Sequence, residues 1–179
     1  MEQRALALND ALPLPHAILG TVLAWKRQYV QALVEAQRAV TLDPNFAEGY
    51  FHLGTALFFA EPPKESVKAY EQAIRLNPKP PDMYLFTLAA AYRIAERYEE
   101  ALTLGKQFAA RHPDFSPAHL HLAVCYAELG QLEEARAEGT EILRLNPTFT
   151  LAGMERHWPM KDPAVMERHL AALRKAGLK

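Results

Sequence analysis

Residues 117–147 read PAHLHLAVCYAELGQLEEARAEGTEILRLNP, two helically spaced apolar segments separated by Gly130 and closed by Pro147. In the first segment Leu122 is followed by the small residue Ala123, and Tyr126 falls four residues after the leucine, on the same helical face. In the second, Ala135 lies twelve residues beyond Ala123. Small residues at matched depth let two helix axes approach, and larger neighbours fill the space beside the crossing. Pro147 lacks an N–H and biases its predecessor out of the α region, which stops the second helix. The stretch therefore reads as helix, turn, helix, stop.

The same columns recur along the chain. The leucine and small-residue pair appears as Leu19-Gly20, Leu53-Gly54, Leu88-Ala89 and Leu122-Ala123, at spacings of 34, 35 and 34. The second small column is Ala32, Ser66, Ala101 and Ala135; the large column is Leu23, Leu57, Tyr92 and Tyr126; the closing prolines are Pro44, Pro78, Pro113 and Pro147. One helix pair cannot bury its apolar face alone, so stacked pairs make one continuous core. The expected fold is all-α, a right-handed superhelical solenoid of antiparallel helix pairs with a C-terminal capping helix. Its units are 13–46, 47–81, 82–115 and 116–149, and the third junction, NPKPPDMY at 77–84, carries one extra residue.

Both ends depart from this pattern. Ala5, Leu6 and Leu8 align with Ala39, Val40 and Leu42, so residues 1–12 read as the second-helix remnant of a preceding unit; a leader that happens to resemble the motif is the alternative. Residues 150–179 read as a capping segment: Asp162 as N-cap, Pro163 at the first helical position and Gly177 as a stop. Met166, Leu170 and Leu173 form a stripe suited to covering the last repeat helix near Ile142 and Leu145. Inside the repeats, Pro62 and Pro63 open a second helix, which a first-turn proline tolerates. Gly105 and Gly139 occupy the slot of Tyr70, a loss of bulk that Phe108 and Ile142, in place of Ala39 and Ala73, are expected to offset within the core.

The bulk composition narrows the function classes. The chain has 179 residues, 50% hydrophobic and 23% charged, and a formal net charge of -1, so it has the apolar content for a core and no basic field to draw nucleic acid. Its single cysteine, Cys125, excludes a disulfide framework and a clustered-thiolate zinc site within the chain, which fits a reducing compartment. No apolar run reaches membrane-spanning length, and Glu2 and Asp10 interrupt what would be a signal peptide, so a cytoplasmic location is expected. Seven histidines invite a metal site, but His119 and His121 are two apart on a helix and face different ways, while His16 and His119 fill the same repeat slot. No phosphate loop and no nucleophile–base–orienter set is present. The expectation is a chain with no catalytic residues, no metal and no cofactor, with Cys125 a small core filler.

These columns resemble the tetratricopeptide repeat family. Three stretches, NPKPPDMYLFTLAAAYRIAERYEEAL at 77–102, NPTFTLAGMERHWPMKDP at 146–163 and LAALRKAGL at 170–178, are more specifically similar to the C-terminal repeat region of bacterial signalling proteins. In these a class III adenylate/guanylate cyclase domain, or a winged-helix DNA-binding domain, precedes the repeats; none of the cyclase's own residues can be placed on this sequence.

The resemblance implies that first helices line a concave groove. The groove-facing positions include Trp25, Phe51, His52, Thr55, Phe58, Phe59, Phe86, Arg93 and His121, with Phe51, Phe58, Phe59 and Phe86 clustered at its centre. Chaperone-binding members hold a terminal carboxylate with a lysine and asparagine clamp, for which Arg93 here stands almost alone. An apolar, aromatic groove points to a protein or peptide partner with an apolar segment, and to neither nucleic acid nor membrane. The competing account is that inter-repeat packing or the C-terminal tail covers part of the set. The expected function is a non-catalytic interaction scaffold, part of a larger bacterial signalling protein. Alternatives are homo-oligomerisation through an uncovered N-terminal edge, or small-ligand binding by His52, Arg93 and His121.

Overall fold

A computed structural model describes residues 11–60 and 63–179. The expected second-helix remnant at 1–12 lies, apart from its last two residues, outside the described residues. Among the described residues the chain is all-helical, with ten helices. These are α1 (Pro13–Trp25), α2 (Tyr29–Leu42), α3 (Ala47–Ala60), α4 (Pro63–Leu76), α5 (Asp82–Ile94), α6 (Tyr98–Arg111), α7 (Ser116–Glu128), α8 (Leu132–Leu145), α9 (Leu151–His157) and α10 (Pro163–Lys175). They sort into two compact units. The first runs to Tyr84 and takes in Pro159–Lys161; the second holds Leu85–Trp158 and Asp162–Lys179.

In the first unit α1 packs on α2, α3 on α4, and α3 also against α1 and α2. Close approach is set by the small columns. A Cβ built on Gly20 would lie 2.9 Å from the Ala36 Cβ and 3.0 Å from the Ala32 carbonyl oxygen, and one on Gly54 would lie 2.7 Å from the Tyr70 ring. Ala32, Ala36 and Ser66 are buried accordingly. The turn after α1 is a Schellman motif: Gln28 N–H donates to Leu23 O, Arg27 N–H donates to Ala24 O, and Arg27 takes the left-handed conformation at φ 61°.

In the second unit α7 packs on both α6 and α8, and α10 packs on α7 and α8. The same Schellman bonds end α5 and α7, from Arg97 N–H to Tyr92 O around Glu96 (φ 63°) and from Gln131 N–H to Tyr126 O around Gly130 (φ 76°). Asp162 caps α10, its carboxylate accepting from Ala164 N–H at 2.8 Å, and Gly177 ends it at φ 87°. Met166, Leu170 and Leu173 are all buried, as their stripe predicts. Burying one such side chain is worth about 1.5–3 kcal/mol.

The glycine slots carry a correction. The bulk missing at Gly105 is supplied by the His121 ring, whose Cδ2 would lie 2.5 Å from an added Cβ. At Gly139 it is supplied by the α10 terminus, with the Ala176 carbonyl oxygen 2.2 Å from an added Cβ. Phe108 and Ile142 are buried, but they do not fill these spaces.

Candidate functional site

The predicted groove residues of the first unit divide by burial. Trp25 is 54% exposed, and with Leu14 (40%) and Ile18 (44%) it forms a stripe at i, i+4 and i+11 along α1. Phe51, His52 and Thr55 on α3 are half-buried. Phe51 stacks on Tyr84 with ring centroids 4.3 Å apart, His52 Nδ1 hydrogen-bonds the Thr21 hydroxyl at 2.8 Å, and Thr55 Oγ1 bonds the Tyr70 hydroxyl at 3.1 Å. Burial lowers the His52 pKa, with Glu48 pulling the other way, so the ring is neutral at pH 7.

Phe58 and Phe59 are buried, contrary to a surface role. Phe59 packs against Trp25 at 5.0 Å and Phe58 at 5.1 Å, and its carbonyl accepts from Lys161 N–H at 3.0 Å. The Tyr29 hydroxyl donates to the carbonyl of the fully buried Pro159. The C-terminal strap Pro159–Lys161 thus covers this face, as the competing account of the groove anticipated.

In the second unit Phe86 is half-buried against Phe108 (4.8 Å) and Phe115 (5.4 Å). Arg93 and His121 are core residues, which corrects their placement on a surface. Arg93 Nε–H donates to His121 Nδ1 at 3.2 Å, and His121 Nε2–H donates to Ala101 O at 2.9 Å, so His121 is locked as one neutral tautomer. Desolvation, with the Arg93 charge adding to it, pulls its pKa down to about 3. Cys125 lies one turn on, its Sγ 3.7 Å from His121 Nε2, and burial pushes the thiol up to about 12. It is an inert core filler. Among the described residues no group of three or more His, Cys, Asp or Glu side chains is placed to hold a metal ion.

Two models described as tetratricopeptide repeat match residues 51–114 and 92–150, together more than half of the chain. Residues 51–150 are tetratricopeptide repeats. The Protein STIP1 homolog of Dictyostelium discoideum is 30% identical over 95 residues, which are 53% of this chain and 17% of that protein. The match therefore spans about a sixth of that relative's length. The solved structure of TTC0263 from Thermus thermophilus, a thermophilic tetratricopeptide protein, superposes with TM-score 0.67 at 23% identity, covering 97% of this chain and 87% of that one. YrrB, described as a tetratricopeptide protein with an unusual peptide-binding site, superposes at 0.65 and 19% identity, covering 98% and 90%. The all-α fold of stacked helix pairs read from the sequence is the fold these structures share with the chain.

Within the tetratricopeptide frame, further columns become visible. His16 and His119 each donate from Nδ1 to a glutamate nineteen residues on: Glu35 Oε2 at 2.6 Å and Glu138 Oε2 at 2.7 Å. The slots read Tyr50 with Ala69 and Leu85 with Leu104 in the middle repeats, so a tetratricopeptide packing position carries a polar pair at two places. Phe46, Phe115 and Phe149 each donate N–H to the residue three before, in a turn that follows the second helix. Their recurrence two residues after Pro44, Pro113 and Pro147 was legible in the sequence. The short helix α9 was signalled by Thr150, whose hydroxyl accepts from Gly153 N–H at 3.1 Å as an N-cap. No helix of the described residues is long and apolar enough to cross a membrane.

Proposed function

We propose that the chain is a non-catalytic protein-interaction module that takes an apolar segment of a partner protein. The observation that carries this reading is the exposed stripe of Leu14, Ile18 and Trp25 on α1, beside the half-buried Phe51 and His52. Apolar side chains lined up along one helix give a partner contiguous area, and a tryptophan supplies an anchor. The match to a fraction of a longer tetratricopeptide relative supports a module serving a larger protein, here a bacterial signalling protein of the cyclase-type architecture. The peptide-binding description of YrrB supports a peptide as the bound form. Neutral His52 in the first unit, and buried Arg93 and His121 in the second, give small-ligand binding no support.

Phe51 and Phe86 are poor mutational probes, because both are packed in aromatic clusters. Ile18→Asp is the cleaner variant: it places a charge on the stripe without opening a core. Pull-down of partners by the full chain should be lost in Ile18→Asp with helicity by circular dichroism unchanged; retained capture overturns the surface assignment. Light scattering of both proteins addresses the second reading. Self-association that disappears in Ile18→Asp would make a further copy of this chain the partner, a reading favoured by the exposure of Leu12 and Leu14 at the start of α1.

A further inference from the structure

The stripe of Leu14, Ile18 and Trp25 on α1 has a polar member in register. Thr21 falls three residues after Ile18 and four before Trp25, on the same face of the helix, and is half-buried there. A threonine inside a helix commonly returns its hydroxyl to the carbonyl four residues back. Thr41, Thr55, Thr103 and Thr140 all do so, at 2.9 to 3.1 Å. The Thr21 hydroxyl makes its bond elsewhere, to Nδ1 of His52 on α3, at 2.8 Å.

The far side of the ring faces a carboxylate. Glu48, one turn before His52 on α3, lies 3.9 Å from Nε2. A carboxylate there favours the tautomer with its proton on Nε2, which leaves Nδ1 as the acceptor for the Thr21 O–H. Burial holds the ring's pKa below its usual value, so at pH 7 the imidazole is neutral and free to take a proton. Hydroxyl, imidazole and carboxylate thus stand in the order that activates a nucleophile. No local motif marks the set, because Thr21 and His52 are thirty-one residues apart on different helices. The backbone N–H groups around Thr21 are spent inside α1, which runs unbroken from Pro13 to Trp25, so they cannot form an oxyanion hole.

We propose that Thr21 is an acyl-acceptor site, modified by an activated acyl ester or thioester whose apolar chain lies against Ile18 and Trp25. Thr21 Oγ bonds to the acyl carbonyl carbon as the bond from that carbon to the leaving thiolate or phenolate breaks. The hydroxyl proton passes to His52 Nδ1 and from there to the leaving group, so the products are a threonine ester and a free thiol or phenol. His52 is the base, and Glu48 is a positioning residue that steadies the imidazolium formed in between. With no backbone donors for the oxyanion, only an activated donor reacts, and the ester is retained instead of being turned over, in keeping with a non-catalytic module. The site shares the α1 stripe with the surface proposed above but does not rest on it, since a small acyl donor reports on the hydroxyl with no partner protein present.

The test incubates the full chain with p-nitrophenyl hexanoate and follows p-nitrophenolate release, with the acylated residue located by peptide mass mapping. One equivalent should be released with the hexanoyl group on Thr21, and the acetate ester should react about tenfold or more slowly, having no chain to bury. Thr21→Val, which keeps the shape without the hydroxyl, should lose this adduct, and Thr21→Ser should keep it. His52→Gln should slow acylation about a hundredfold. Glu48→Gln should slow it several-fold and Glu48→Asp recover the rate, which a merely structural role would not give; helicity by circular dichroism stays unchanged throughout. Acylation of lysines alone, a Thr21 adduct formed equally fast in His52→Gln, or no adduct overturns the proposal. Partner capture lost in Ile18→Asp beside an unmodified Thr21 overturns it too and leaves the partner surface standing, whereas a Thr21 adduct beside retained capture does the reverse.

Discussion

At the scale of single residues, the turn inside three of the helix pairs carries a left-handed residue at one recurring slot, filled by Arg27, Glu96 and Gly130. Only Gly130 meets it without a Cβ penalty, which for other residues is roughly 1–2 kcal/mol. Arg27→Gly should therefore raise stability by about 1 kcal/mol and Gly130→Ala lower it by a similar amount, as read by urea unfolding midpoints. The polar pair at His119 gives a pH signature. Burial by itself lowers this histidine's pKa, but the bonds to Pro113 O and Glu138, with the charges of Glu138 and Glu141, outweigh it and raise the value. Both ring nitrogens face acceptors, at 2.7 Å each, so the imidazolium is the form that fits. A folded-state value above the unfolded one means the contribution is fully present below the unfolded pKa, about 6.5, and is lost as pH rises through the folded value. The stability gap between the parent and His119→Gln should be widest in mild acid and shrink toward alkaline pH. His121 acts oppositely: with its pKa pulled down to about 3, its contribution holds above about 6.5 and declines as pH falls. For that reason the paired difference, not the parent's own profile, is the readout.

At the scale of elements, the chain's end is built into the second unit by backbone contact. The Ala176 carbonyl occupies the space over Gly139, and Leu151 N–H donates to Lys179 O at 2.9 Å, tying the terminus to the start of α9. Gly139→Ala should cost about 1–3 kcal/mol by overpacking, and hydrogen exchange should show α10 amides opening sooner while those of α1 and α2 stay unchanged. Asp162→Ala removes the α10 cap and should cost about 1 kcal/mol, measured by the same unfolding curves. The helix pairs and the ends of α10 were readable because capping and small-residue spacing are local signals. The partners of Gly105 and Gly139 were not, since nothing local at those glycines says that His121 and Ala176 come to fill them.

Across the whole molecule, the sequence by itself determined the repeat: four phased sets of small, large and closing residues admit only helix pairs, and their positions state where each helix crosses its partner. The first helices as the place to seek a partner surface came from the resemblance to the repeat family, not from the periodicity. Which of those residues remain available was decided by tertiary structure alone. Trp25 stays exposed, whereas Phe58 and Phe59 lie buried, with the Pro159–Lys161 strap, about a hundred residues away in sequence, bonded to the Phe59 backbone. Arg93 and His121, twenty-eight residues apart, became a buried pair for the same kind of reason. Periodicity records which side of its own helix a residue takes, but burial is the sum over every segment packed there, and distant segments leave no mark in the local pattern.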